Sequence, residues 1–234
     1  MSYRYPGEEL DVFAHAVNWK RYVRAIVRPY LVGDVLEVGA GIGSTTRVLI
    51  DGRQRSWTCL EPDPELAARL RAGLEHASHS TLPQVIVGGT RELPPVAAYD
   101  AVLYIDVLEH IEHDRDEMRI AAALLKPGGA LLALSPAHQW LFSPFDARIG
   151  HVRRYNPRLY RDLTPGGTRL EMLRYVDSAG LIASTANRIW LHSDTPSIEQ
   201  IRFWDRILVR VSRVTDPLLA WRVGKSLIGV WRRE

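Results

Sequence analysis

A single cysteine, Cys59, stands in the whole sequence, so no disulfide can form within the chain and a reducing compartment is expected. Long apolar runs are also missing. No stretch approaches the roughly 20 residues needed to span a bilayer, and the polar residues 1–10 lack the apolar centre of a signal peptide. These absences predict a soluble, cytoplasmic chain. The interleaved aromatic and basic modules that stack RNA bases are absent as well, and no DNA partner is expected.

What is present suits one sizeable α/β core: 234 residues, 46% of them apolar. The net charge of +3 is unevenly spread. Residues 1–146 hold 14 Lys/Arg and 19 Asp/Glu (−5), and residues 147–234 hold 16 and 8 (+8). That asymmetry points to an anionic partner near the C-terminal half without choosing among an acidic substrate, a membrane surface and nucleic acid.

The stretch Val35-Leu-Glu-Val-Gly-Ala-Gly-Ile-Gly-Ser44 reads as strand, glycine turn and helix start. Alternate glycines allow a sharp turn whose main-chain N–H groups a ligand can approach. The dinucleotide fingerprint would place its third glycine where Ser44 stands, and Glu37 just before the loop suits a cation better than a pyrophosphate. A second strand, 56–60, ends in Glu61-Pro62-Asp63. An acid at that tip can accept hydrogen bonds from both ribose hydroxyls of a nucleoside. Helices are predicted over 8–30, 63–77, 114–125 and 168–179, and further strands over 84–87, 99–105, 130–134, 181–190 and 226–231. The insertion 192–222 carries an apolar stripe (Ile198, Ile201, Trp204, Leu208, Val211) and an arginine stripe (Arg202, Arg206, Arg210, Arg213). Such a helix fits a packed lid, a dimer contact or a membrane-surface element.

The glycine motif resembles the first motif of class I S-adenosylmethionine (SAM) methyltransferases. Leu108-Glu-His-Ile111 with Leu125-Lys-Pro-Gly-Gly-Ala-Leu131 is similar to later motifs of ubiquinone-type small-molecule methyltransferases, and the resemblance covers about residues 33–136. It implies a doubly wound, seven-stranded, mostly parallel α/β sheet with the last strand antiparallel beside the fifth. Residues 1–32 would form an N-terminal helix, 33–136 the cofactor-binding core, 137–167 a substrate loop and 192–222 a helical lid. The implied SAM contacts are Glu37, Gly39, Ala40, Gly41, Gly43, Glu61, Pro62, Gly89, Thr90, Asp106 and Val107. Trp19 or Tyr22 would help close the site from the N-terminal helix. His138, Arg153, Arg154 and Tyr155 are expected to meet the substrate, and His151 and His110 are the candidate bases. Asp106, Glu109, His110 and His151 also resemble the metal-binding set of small-RNA 2′-O-methyltransferases and some ubiquinone-pathway enzymes, so a divalent metal is a candidate cofactor. The expected activity is methyl transfer to a hydroxyl of a small molecule or glycan, anionic or lipid-linked. The alternatives are N-methylation, RNA 2′-O-methylation and a noncatalytic SAM-binding module.

Overall fold

Val35, Leu36 and Val38 lie mid-sheet because hydrophobic layers cover both faces of their strand. The computed structural model describes residues 3–7, 9–75, 83–186, 188 and 197–234. Its strands are β1 (Gly33–Val38), β2 (Gln54–Glu61), β3 (Gln84–Val87), β4 (Tyr99–Ile105), β5 (Leu125–Pro136), β6 (Thr168–Val176) and β7 (Ser226–Arg233). They form one sheet in the order β3-β2-β1-β4-β5-β7-β6, with β7 antiparallel to both neighbours and the β1–β5 pairings parallel. Successive residues alternate between faces: Val35, Cys59, Leu103 and Leu132 enter one core, and Leu36, Leu60, Val102 and Leu131 the other. The strand order reverses between β1 and β4. The carboxyl ends of those two strands therefore open a crevice between their loops, where α/β folds bind ligands.

The helices are α1 (Leu10–Ala14), α2 (Val17–Val27), α3 (Thr46–Leu49), α4 (Pro64–Glu75), α5 (Asp114–Leu124), α6 (Pro144–Arg148), α7 (Pro157–Asp162), α8 (Ser178–Ala186), α9 (Ile198–Phe203) and α10 (Val209–Leu218). Several departures from the sequence expectation have physical causes. The single helix expected over 8–30 breaks at His15–Ala16, because the buried Asp205 carboxylate accepts the Asn18 and Trp19 N–H groups (3.2 and 2.8 Å) and starts a fresh helix there. The helix expected over 168–179 is strand β6. A bulge between Leu170 and Met172 shifts its register and sets Leu170 and Leu173 on one face, three residues apart as on a helix, whereas Val176 enters the opposite core. The strand expected from Leu181 to Trp190 is instead helix α8, whose first turn Asp177 caps by accepting Gly180 N–H at 3.0 Å. Residue 8 of the first expected helix, 76–77 of another, 187, 189 and 190 of that expected strand and 192–196 of the insertion lie outside the described residues.

The remainder of the insertion is one rod. A π-helical stretch, Trp204–Leu208, joins α9 to α10 and rotates the face that meets the domain. The buried row is Ile201, Asp205, Val209, Ser212 and Asp216, whereas Ile198 and Val211 of the expected apolar stripe are exposed. Its polar members are satisfied. Asp216 accepts hydrogen bonds from Tyr22 Oη (2.6 Å) and from the Asp177 and Ser178 N–H groups (2.7 and 2.9 Å), and Ser212 Oγ donates to Asp177 Oδ1 at 2.9 Å.

Candidate active site

A cleft of about 1090 Å³ opens at the carboxyl ends of β1 and β4. Gly39, Gly41 and Gly43 carry φ of +69°, +57° and +72°, so the loop after β1 depends on residues that tolerate the left-handed region. Gly41 has its Cβ direction open to the cleft, 3.7 Å from the Leu10 side chain. A Cβ on Gly43 would meet Leu70 at 2.3 Å, which makes that glycine a helix-packing position rather than a wall of the cleft.

Glu37, Ala40, Glu61, Pro62, Asp106 and Val107 join Gly39 and Gly41 in the cleft wall. The Glu37 carboxylate accepts Trp57 Nε1–H at 2.9 Å, and burial pushes its pKa up to about 7. Glu61 accepts Gly41 N–H (2.7 Å) on one oxygen and Asp63 N–H (3.0 Å) on the other, so it closes the glycine loop before it meets any ribose. A carboxylate has about four lone-pair sites, which leaves acceptor capacity toward the cleft. Burial raises its pKa. Asp63 caps α4 and accepts Tyr5 N–H at 2.8 Å, tying the N-terminal segment across the cleft beside Tyr3, Leu10 and Phe13. Trp19 also lines the cleft. Tyr22 instead packs in the core.

Gly89 and Thr90 lie outside this wall. The Gly89 N–H donates to Glu92 at 2.8 Å, and the Thr90 hydroxyl is buried against Glu117 at the same distance. His138 is likewise turned away, with its Nε2 2.9 Å from the Gly224 carbonyl and its ring stacked on Tyr175. Arg153 pairs with Asp114, and the buried Tyr155 hydroxyl donates to Asp114 at 2.8 Å, so both brace the loop from behind. Arg154 does reach the cleft, but its guanidinium grips Asp146 with two hydrogen bonds of 2.9 Å.

His110 and His151 meet at the centre, their rings 4.6 Å apart and nearly perpendicular. His151 Nδ1 lies 2.9 Å from Asp146 Oδ1, which fixes the tautomer with Nε2 free; that nitrogen stands 3.9 Å from Glu109. Burial alone would raise the Asp146 pKa, but hydrogen bonds from His151 and Arg154 hold it below the usual carboxylate range. Asp146 is the residue that sequence reasoning missed. Its signal was Ser143-x-x-Asp146, a capping box at the start of α6, in which Ser143 N–H and Oγ each lie 2.8 Å from the carboxylate. Lys20 and Lys225 also line the cleft without an advance signal. Burial lowers the pKa of both, Lys20 to about 8.

A divalent cation fits one corner of this site. Glu109 is wholly buried, and neither of its carboxylate oxygens nor His110 Nδ1 has a hydrogen-bond partner of good geometry among the described residues. Ligand atoms of Glu109, His110 and His151 lie within 4.8 Å of one another. The Asp146 contact on the far nitrogen of His151 is the outer-shell support that metal-bound histidines use. Asp106, expected in this set, lies outside the triangle. It occupies the end of β4 with φ +55°, a strained conformation for a residue other than glycine.

Comparison with known proteins agrees with this geometry. Residues 36–131 match the family model described as a methyltransferase domain. The chain is 31% identical over 153 residues to the ubiquinone biosynthesis O-methyltransferase of Sodalis glossinidius, a match spanning 63% of this chain and 59% of that relative's length. Among solved structures, the methyltransferase complexed with the Trm112 activator of Haloferax volcanii superposes with TM-score 0.62 at 18% identity, covering 99% of both chains. The N-methyltransferase NodS of Bradyrhizobium japonicum, solved with S-adenosyl-L-homocysteine, does so with TM-score 0.57 at 14% identity, covering 91% of this chain and 84% of that one. These two likenesses show the fold. The family model covers residues 36–131, about two fifths of the chain, and the strand order and the cleft at the carboxyl ends of β1 and β4 agree with a SAM-binding methyltransferase domain there.

Proposed function

We propose that the chain transfers the methyl group of SAM to a hydroxyl of a small molecule or glycan. The observation that carries this reading is the Asp146–His151 pair in the cleft wall, with Asp146 buried and His151 Nε2 free of any hydrogen bond to a described residue. Bound SAM supplies a methyl group on a sulfonium, already reactive, so the protein has to align the acceptor, exclude water and take a proton. Gly41 and Glu61 form the loop that receives the nucleoside end, and Tyr3, Tyr5 and Phe13 close the cleft over it. His151 Nε2 accepts the hydroxyl proton as the oxygen attacks. The Asp146 carboxylate then stabilises the imidazolium, a role worth about 10²–10⁴ in rate. An O-methyltransferase among the relatives supports a hydroxyl acceptor, and Lys20 and Lys225 at the cleft favour an anionic one.

A second reading rests on the unpartnered buried oxygens of Glu109. Glu109, His110 and His151 would hold a divalent cation that orients an acceptor with paired oxygens. Calorimetric titration with Mg²⁺ and Zn²⁺ separates the two. No heat of binding, together with turnover indifferent to EDTA, leaves His151 as the base.

The decisive test of function is mass spectrometry of cofactor co-purifying with the chain, followed by incubation of a metabolite and lipid extract with methyl-labelled SAM. A labelled hydroxyl product is expected, and its loss in His151→Ala with S-adenosylhomocysteine affinity intact would confirm the base. Tight S-adenosylhomocysteine binding with no labelled product from any fraction would leave a noncatalytic binding module.

A further inference from the structure

The rod formed by α9, the π-helical stretch and α10 has a solvent face that the fold does not use. Phe203, Ile207, Val211, Val214 and Leu218 are 59%, 50%, 44%, 63% and 80% exposed. Their spacing of four, four, three and four residues sets them on one side of the rod, roughly opposite the buried row Ile201, Asp205, Val209, Ser212 and Asp216. Arg202, Arg206, Arg210 and Arg213 run beside this apolar row, all exposed, and none forms an ion pair with a described residue. Single exposed apolar residues are ordinary; five in register with four exposed guanidinium groups along one edge are not.

We propose that this face docks on an anionic phospholipid surface, the rod lying flat with the apolar row among the acyl chains and the arginines on the headgroups. The charge pattern selects that occupant. A second copy of the chain would bring the same four arginines, and the only exposed carboxylate on the rod is Glu199, since Asp205 and Asp216 are buried. No described helix is long and apolar enough to cross a membrane, which fits a helix lying in the interface. Gln200, Ile201, Phe203 and Trp204 of the same rod line the cleft, so docking would bring the cleft wall to the bilayer and make a membrane-resident amphiphile the accessible acceptor. The docking does not depend on the methyl-transfer reading; only the acceptor's location does.

The test is co-sedimentation of the full chain with vesicles of phosphatidylcholine alone and of phosphatidylcholine mixed with phosphatidylglycerol. Binding is expected only to the anionic vesicles at low ionic strength, with release as salt is raised. I207S/V214S/L218S and, separately, R206Q/R210Q should each lower the bound fraction about tenfold, with S-adenosylhomocysteine affinity unchanged as proof of an intact fold. Absence of binding to anionic vesicles at low salt, or equal binding by wild type and both variants, would overturn the proposal. So would a concentration-dependent dimer in the absence of vesicles that I207S/V214S/L218S abolishes, because the apolar row would then belong to a second copy.

Discussion

Glu37 sits where a cationic ligand would change its ionisation. Its pKa is raised from 4.5 to about 7 by burial, so the folded, ligand-free protein binds a proton there that the unfolded chain has released. This group's contribution to stability therefore falls as pH rises from the unfolded value toward 7, and a neighbouring sulfonium or ammonium favours the ionised form. SAM affinity measured by calorimetry should rise from pH 6 to pH 8, and Glu37→Gln should flatten that dependence; an unaltered profile in the variant would place the titrating group elsewhere. Glu61→Ala removes the acceptor of both Gly41 and Asp63 N–H groups and should weaken SAM binding by about 1–3 kcal/mol. Unchanged affinity would show that the loop holds its shape unaided. Asp146→Asn keeps the size of the side chain but loses the charge opposite His151 and Arg154. It should lower kcat by about 10²-fold or more with KM for SAM little changed, whereas a purely structural role would move both.

At the scale of elements, Asp205 couples the rod to the N-terminal helix α2. Its carboxylate accepts Asn18 N–H, Asn18 Nδ2–H and Trp19 N–H at 3.2, 2.9 and 2.8 Å. Asp205→Ala orphans these donors and should destabilise the chain by about 1–3 kcal/mol, read as a lower denaturant midpoint at constant m-value. A change in m instead would mean that the rod detaches on its own. How legible these elements were follows from how local their determinants are. The β1–β5 region could be read directly: strands buried on both faces are short apolar runs, and the cap at Asp63-Pro64 is written in adjacent residues. The swap of strand and helix across 168–186 could not be read. The bulge in β6 and the left-handed Asp177 (φ +68°) are fixed by pairing with β7 and by the rod; the bulge leaves a spacing that reads as helical, and Asp177 leaves no periodic trace. The buried face of the rod was misjudged for a related reason. Its aspartates are tolerated inside only because distant N–H groups and the Tyr22 hydroxyl meet them.

On the scale of the whole molecule, the sheet order assembles the cleft from stretches far apart in the chain. The glycine loop, the end of β4, the loop around α6 and the rod meet at one opening. The histidine pair was visible as residue types, but their meeting across some forty positions comes from that topology, and so does the turning of His138 and Tyr155 away from the cleft. The charge asymmetry along the chain becomes, in the fold, an arginine-edged face next to the cleft rather than a diffuse basic surface. Calorimetric titration of the purified chain with S-adenosylhomocysteine and, in parallel, with NAD decides whether this cleft is a SAM site. One S-adenosylhomocysteine per chain is expected, with binding lost in Gly41→Val because a β-branched residue is strained at φ +57° and fills the cleft wall, and no binding of NAD. Saturable NAD binding with none of S-adenosylhomocysteine would contradict it.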